Sequence, residues 1–97
     1  MTTYFVSRHP GAVSWAREEG IAVDRQVDHL DIDLIRPGDT VIGSLPVNLA
    51  AEVCVRGARY LHLSVKLPSG LRGAELSAEQ LRECGARLEE FSISQLD

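Results

Sequence analysis

The sequence predicts an α/β protein with a mostly parallel sheet of about five strands and helices on both faces. Short apolar segments that end in turn residues alternate along the chain with segments of helical character. Such alternation is typical of parallel strands joined by crossover helices. Because these crossovers are right-handed, we expect a Rossmann-like topology with strand order 2-1-3-4 and the last strand at an edge.

The first half of the chain is predicted to contain three strands and one helix. Pro10 suits the first turn of a helix, where no N–H is needed, and Gly20 suits its end. Asp31 is expected to cap a brief helical turn. The predicted elements are a strand at 4–7, a helix at about 11–19, a strand within 21–27, the helical turn at 31–35 and a strand at 40–45.

The second half is predicted to alternate in the same way. A helix begins at Pro46 and ends near Arg56, and an alternating strand covers 60–65. A surface loop at 66–74 follows, and Ser77 and Gln80 form a capping box that starts the third helix. The segment 86–94 favours a strand, although its central part, 87–91, also suits an extension of the helix. All 97 residues are predicted to form one domain.

The charge and the cysteines restrict the partners and the location of the protein. The net charge is −4 and no long run of Lys or Arg occurs, which argues against duplex nucleic acid as a partner. Cys54 and Cys84 lie in predicted helices without metal-ligand spacing, so we expect buried thiols in a reducing cytosol. Neither a signal peptide nor an apolar stretch of membrane-spanning length is recognisable, so we expect a cytoplasmic protein without membrane contact.

Two loops of the predicted sheet are candidates for a binding site. In this topology the first and third strands are neighbours whose helices go to opposite faces, and ligands bind at the carboxyl ends of such strands. One loop there is Ser7 to Gly11, with the sequence SRHPG, and the other is Gly43 to Asn48, with the sequence GSLPVN. Each loop leads into a helix N-terminus, where free N–H groups and the helix dipole favour phosphate.

The residue types of these loops indicate chemistry on a phosphodiester. Arg8 offers a permanent charge with a fork geometry suited to phosphate oxygens, and His9 can transfer a proton near neutral pH. Ser7, Ser44 and Asn48 add neutral donors. If a substrate 2′-hydroxyl is the nucleophile, the protein need only align it, neutralise charge and protonate the leaving oxygen. No metal and no cofactor are required by this logic.

Each of these residues also has a purely structural interpretation. His9 suits a capping position on the surface, Arg8 a solvated ion pair, and Ser44 the cap of the second helix. For His62 we favour a buried, hydrogen-bonded role in its strand over a ligand role. His29 lies among aspartates that suit turns and caps better than a metal site.

The chain resembles a family of small CRISPR-associated proteins found beside type III effector loci. The segments SRHPGA, from Ser7, and GDTVIGSLPVNLAAE, from Gly38, carry the resemblance, which extends from Tyr4 to about Phe91. The family is regarded as ring nucleases, which cut cyclic oligoadenylate messengers. The resemblance implies a single Rossmann-like domain, similar to the CARF domains that sense these messengers.

The resemblance also implies a homodimer that holds cyclic tetra-adenylate across its two-fold axis and cuts it without a metal. Catalysis would then involve Ser7, Arg8 and His9, and binding would involve Gly11 and the second loop. The predicted binding residues of that loop are Ser44, Leu45, Pro46 and Asn48. The loop that contains Lys66 and Arg72 either closes over the ligand or is a plain surface loop. A sensor or sink that binds without cutting, and a scaffold that docks on the effector, are the alternatives.

Overall fold

The computed structural model describes residues 1–71 and 73–96 and contains one five-stranded sheet. Its helices and strands follow the predicted alternation. In chain order they are β1 (Thr3–Val6), α1 (Pro10–Glu18), β2 (Arg25–Val27), the 3₁₀ turn η1 (Ile32–Leu34), β3 (Thr40–Gly43), α2 (Val47–Val55), β4 (Arg59–Ser64), the 3₁₀ turn η2 (Ser69–Leu71), α3 (Ala78–Glu83) and β5 (Arg87–Phe91).

The sheet has the strand order β2-β1-β3-β4-β5. The first four strands are parallel, and β5 pairs antiparallel with β4, with Leu88 opposite Leu63. The predicted α/β class and the order 2-1-3-4 with the last strand at an edge are therefore confirmed. The segment that also suited a helix, 87–91, is a strand because it has β4 to pair with.

Two apolar cores lie on opposite faces of the sheet. On one face α1 and α3 cover the central strands, and Trp15 is among the buried residues there. On the other face α2 and η1 cover the same strands around Val41, Val53 and Tyr60, which are almost fully buried. Helices on both faces leave the carboxyl ends of the parallel strands uncovered along one edge, which is where such sheets bind ligands.

The predicted caps at Asp31 and Ser77 are confirmed. The Ser77 hydroxyl accepts from the Gln80 N–H at 3.1 Å, and the Gln80 side chain accepts from the Ser77 N–H at 3.0 Å. The Asp31 carboxylate accepts from the Asp33 N–H at 3.1 Å and begins η1. These short-range hydrogen bonds form between neighbours in sequence, which is why the sequence alone identified them.

Some boundaries and environments differ from the expectation. The third strand ends at Gly43 instead of residue 45, because the chain turns away once the Leu45 N–H bonds to the Tyr60 hydroxyl. The loop after β4 contains the short turn η2, and Arg72 of that loop lies outside the described residues. Cys54 and Cys84 are free thiols as expected, but both are half-buried instead of buried.

Within the described ranges, no helix is both long and apolar enough to cross a membrane.

Candidate functional site

The two predicted loops meet at one cavity of about 640 Å³ at the carboxyl ends of β1 and β3. This meeting follows from the parallel pairing of β1 with β3, in which Val6 lies opposite Gly43. The loop residues that line the cavity are Ser7, Arg8 and His9 from the first loop and Gly43, Ser44, Leu45 and Pro46 from the second. The sequence therefore located the cleft correctly, because parallel strands all end at the same edge.

The first loop is held by hydrogen bonds that begin at Ser7. The Ser7 N–H donates to the carbonyl of Val27 on β2, and the Gln26 side chain donates to the Ser7 carbonyl at 2.7 Å. The Ser7 hydroxyl accepts from the backbone N–H of His9 at 3.1 Å. Ser7 thus shapes the turn that brings Arg8 and His9 to the cavity, while its hydroxyl hydrogen remains able to reach a ligand.

His9 is the N-cap residue of α1, but its side chain does not cap the helix. Its Nδ1 instead lies 2.9 Å from the Oε1 of Glu75, which comes from the segment before α3. The expected capping position of His9 on the surface is therefore confirmed, but its side chain forms no cap hydrogen bond. Sequence analysis missed Glu75, since no local pattern links residues that lie 66 positions apart.

Arg8 is exposed at the mouth of the cavity. Arg8 forms no ion pair with the residues at 1–71 and 73–96. The solvated ion pair that was its alternative, structural interpretation is therefore not found among these residues. Its guanidinium therefore keeps its donors for water or for an anion in the cleft. A planar fork of N–H groups is well matched to phosphate oxygens.

The second loop is anchored from below by β4. The Leu45 N–H donates to the Tyr60 hydroxyl at 2.9 Å, and that hydroxyl lies 3.2 Å from the Gly43 carbonyl and 2.6 Å from His62 Nδ1. Burial raises the pKa of Tyr60 above its usual value, so its hydroxyl keeps its hydrogen at neutral pH. His62 is hydrogen-bonded and half-buried, which agrees with the structural role that we favoured.

Ser44 has a structural contact of its own. Its hydroxyl lines the cavity but donates to the Leu63 carbonyl at 2.9 Å, so in this conformation its hydrogen is engaged with β4. The prediction that Ser44 donates to a ligand therefore requires rotation of the hydroxyl. The expected capping of α2 by Ser44 does not occur, because the N-cap position belongs to Pro46.

Two predicted binding residues lie outside the lining of the cavity. Asn48 is exposed in the first turn of α2. Gly11 packs against the segment before α3, where an added Cβ would lie 1.7 Å from the Leu76 carbonyl oxygen. Gly11 is therefore required for the close packing of two backbones. It does not line the cavity, although the sequence motif had suggested a binding residue at this position.

The cavity also contains residues that sequence analysis did not assign to it. Asp28 and His29 follow β2 and line the cavity beside the first loop. The signal was present, because β2 is parallel to β1 and its carboxyl end reaches the same edge. The rest of the lining is mostly aliphatic. Its members include Leu30, Leu49, Leu63, Val65, Leu67 and Leu76.

Asp28 and His29 do not extend into a metal cluster. Within the described part of the chain, no group of three or more His, Cys, Asp or Glu residues is arranged to hold a metal ion. The chemistry available at the cavity mouth is that of a guanidinium, two imidazoles, one carboxylate and serine hydroxyls. These groups bind anions and transfer protons.

The fold and the cleft together define a Rossmann-like α/β protein with a cavity at its switch point that is lined by Arg8, two histidines and Asp28. Residues 4–94 match the model of the family described as "Putative CRISPR-associated protein (Cas_VVA1548)", and the chain belongs to that family. The expected CRISPR association is thereby confirmed at the level of the family. A search of curated proteins and a search of solved structures each found no match.

Proposed function

We propose that this protein is a ring nuclease that opens cyclic oligoadenylates, most favourably cyclic tetra-adenylate. One observation carries the proposal: Ser7, Arg8 and His9 share a single cavity with Ser44, Leu45 and Pro46. A cation and a proton carrier from the first loop thus share the cavity with Pro46, the N-cap residue of α2. This combination suits a phosphodiester that must be gripped and cleaved.

The proposed reaction is attack by the substrate's own 2′-hydroxyl on the adjacent phosphorus, with loss of the hydroxyl proton to solvent water. The bond from phosphorus to the 5′-oxygen breaks, and the product is a linear strand that ends in a 2′,3′-cyclic phosphate. Arg8 stabilises the extra negative charge that develops on the phosphate oxygens. His9 supplies the proton that the departing 5′-oxygen takes up. Ser7 contributes a neutral donor and maintains the turn.

The shape of the cavity supports a nucleotide over a simple anion. A bare phosphate needs only the polar residues, whereas the rest of the lining is formed mostly by leucine and valine side chains. A flat base placed against those side chains buries apolar surface, which contributes roughly 25 cal/mol per Å². Asp28 lies at the rim, where its carboxylate can accept from an exocyclic amine such as that of adenine.

A homodimer completes the proposal. A cyclic tetranucleotide has approximate two-fold symmetry, so two copies related by a two-fold axis would present the same loops to opposite phosphates. The net charge of −4 is compatible with this ligand because the cations act locally in the cleft. Light scattering of the pure protein, with and without cyclic tetra-adenylate, measures this part of the proposal directly.

The decisive experiment incubates the pure protein with cyclic tetra- and hexa-adenylate in EDTA and resolves the products by chromatography. We expect a linear product with a 2′,3′-cyclic phosphate. His9→Ala should lower turnover by about 10²–10⁴-fold, the usual contribution of general acid catalysis, while affinity is largely kept. Arg17→Ala is the matched control for Arg8→Ala, because Arg17 is also exposed but lies in the last turn of α1.

The same experiment separates the alternatives. Rings that bind tightly and remain intact would identify a sensor or sink in place of an enzyme. If the pure protein neither binds nor cuts the rings, and Arg8→Ala does not differ from the wild type in this assay, the protein would be identified as a scaffold for the effector complex. Cleavage that EDTA abolishes and Mg²⁺ restores would contradict the metal-independent reaction.

A further inference from the structure

We propose that Glu75 is a positioning residue that determines which nitrogen of His9 faces the substrate. The inference rests on the proposed role of His9 as proton donor and adds a residue to that site. Glu75 belongs to neither of the two loops that form the mouth of the cavity. It comes from the segment that connects η2 to α3.

The contact itself defines the protonation pattern of the ring. The Oε1 of Glu75 lies 2.9 Å from Nδ1 of His9, a distance typical of a hydrogen bond to a carboxylate. An ionised carboxylate has no hydrogen to donate, so Nδ1 must carry one. Nε2 is then the nitrogen that exchanges a proton with the cavity, which His9 lines. A carboxylate on one nitrogen and a reacting group on the other is the arrangement that orients histidines in many catalytic sites.

Backbone packing explains why Glu75 reaches His9. Gly11, two residues after His9, lets the Leu76 carbonyl approach so closely that a Cβ at position 11 would lie 1.7 Å from its oxygen. Leu76 also packs against the core beneath α1 and α3, and Ser77 starts α3 with its capping box. The backbone on the carboxyl side of Glu75 is therefore fixed against the first turn of α1, and its side chain is placed beside His9.

The exposure of the pair argues for orientation instead of stability. The side chains of His9 and Glu75 are 62% and 67% exposed, and exposed pairs contribute little to folding. If the pair were buried, its hydrogen bond would be explained by the need of two buried polar groups for a partner. An exposed carboxylate at hydrogen-bond distance from the one imidazole of the first loop has its main consequence in the tautomer that it selects.

The first test measures that tautomer without any substrate. Nitrogen-15 NMR of the neutral His9 ring is recorded for the wild type, Glu75→Gln, Glu75→Ala and the control Glu83→Gln, which removes an exposed charge from the end of α3. We expect a dominant Nδ1–H form in the wild type and in Glu83→Gln. The Nε2–H form should increase in Glu75→Gln, which keeps an acceptor, and most in Glu75→Ala. An unchanged tautomer in Glu75→Ala would overturn the proposal.

The second test connects the tautomer to turnover of cyclic tetra-adenylate. We expect Glu75→Ala to lower kcat about tenfold, less than the loss of about 10²–10⁴-fold expected for His9→Ala, with KM changed less than about twofold. In the His9→Ala background, Glu75→Ala should have no further effect, because a residue that acts through His9 has nothing left to orient. Independent, multiplying losses would refute the positioning role, as would a kcat equal to that of Glu83→Gln.

The two proposals fail in different ways. If the wild type does not cut cyclic oligoadenylates, the proposed function is wrong, and the NMR comparison still decides whether Glu75 controls His9. If the wild type cuts them and the tautomer changes while kcat does not, the ring nuclease stands and the role of Glu75 in it is refuted.

Discussion

Replacement of Gly11 by alanine tests how the first turn of α1 is packed. Gly11 lies inside a helix, and in an open helix alanine is favoured over glycine by about 1 kcal/mol. Here the added Cβ would lie 1.7 Å from the carbonyl oxygen of Leu76 and 2.8 Å from its carbonyl carbon. Ordinary contact begins at 3.4 Å, so α1 and the backbone before α3 must move apart.

The magnitude follows from these opposing effects. Overpacking of this kind typically costs about 1–3 kcal/mol, and the upper end applies because the obstructing atom belongs to the backbone and cannot rotate away. After the helical gain of about 1 kcal/mol, we expect Gly11→Ala to lower the free energy of unfolding by about 1–2 kcal/mol. For a domain of this size that corresponds to a loss of about 4–16 °C in Tm.

The assay is urea unfolding followed by circular dichroism, with Tm from calorimetry. The control is Gly70→Ala, because a Cβ at position 70 meets no atom of the described residues within 4 Å and the backbone there is not in the left-handed region. Gly70→Ala should leave stability unchanged or raise it by up to about 1 kcal/mol. A Gly11→Ala protein as stable as the wild type would show that the close approach of Leu76 is not needed.

Three further predictions concern the anchoring of the second loop, the turn before β3 and the charge of the cleft. Tyr60→Phe should lower the free energy of unfolding by about 1–3 kcal/mol in urea titrations, because it leaves the Leu45 N–H without its partner; an unchanged midpoint would contradict that anchoring. The buried Asp39 accepts from two backbone N–H groups, chiefly that of Arg36, and these bonds hold its pKa below the ordinary 3.8. The contribution of the Asp39 carboxylate to stability is therefore complete above about pH 4 and is lost as the pH falls through the lowered pKa. Asp39→Asn should have a free energy of unfolding about 1–3 kcal/mol lower than the wild type at pH 7. On acidification the variant should lose less stability than the wild type does. Arg8→Ala should weaken binding of cyclic tetra-adenylate in calorimetry by more than tenfold, and equal affinity in the variant would remove Arg8 from the site.

Several features of the fold were predictable from the sequence because their causes are local. The capping box of Ser77 and Gln80 and the cap at Asp31 involve atoms only a few residues apart. Alternation of strands and helices, combined with the handedness of crossovers, restricted the sheet to one order. The same rule places the loop after β1 and the loop after β3 at one edge of the sheet, so the position of the cleft could be predicted from the sequence.

Other features depended on which surfaces come into contact in three dimensions. No pattern in the sequence joins His9 to Glu75, because their meeting depends on how closely α1 packs against the segment before α3. The same packing changed the meaning of Gly11, which the motif had placed at the ligand. Tyr60 acquired its role beneath Leu45 in this way too, since a hydroxyl on β4 supports a loop that follows β3.

The sequence by itself therefore determined the order of the elements, the ends of the helices and the edge at which the two loops converge. These properties depend on backbone propensities, on hydrogen bonds between near neighbours and on the handedness that all parallel sheets share. The tertiary structure alone decided which side chain orients His9, which hydroxyl holds the second loop and why position 11 has no side chain. Those outcomes depend on distances between segments far apart in the chain, and such distances are set only when the two cores pack.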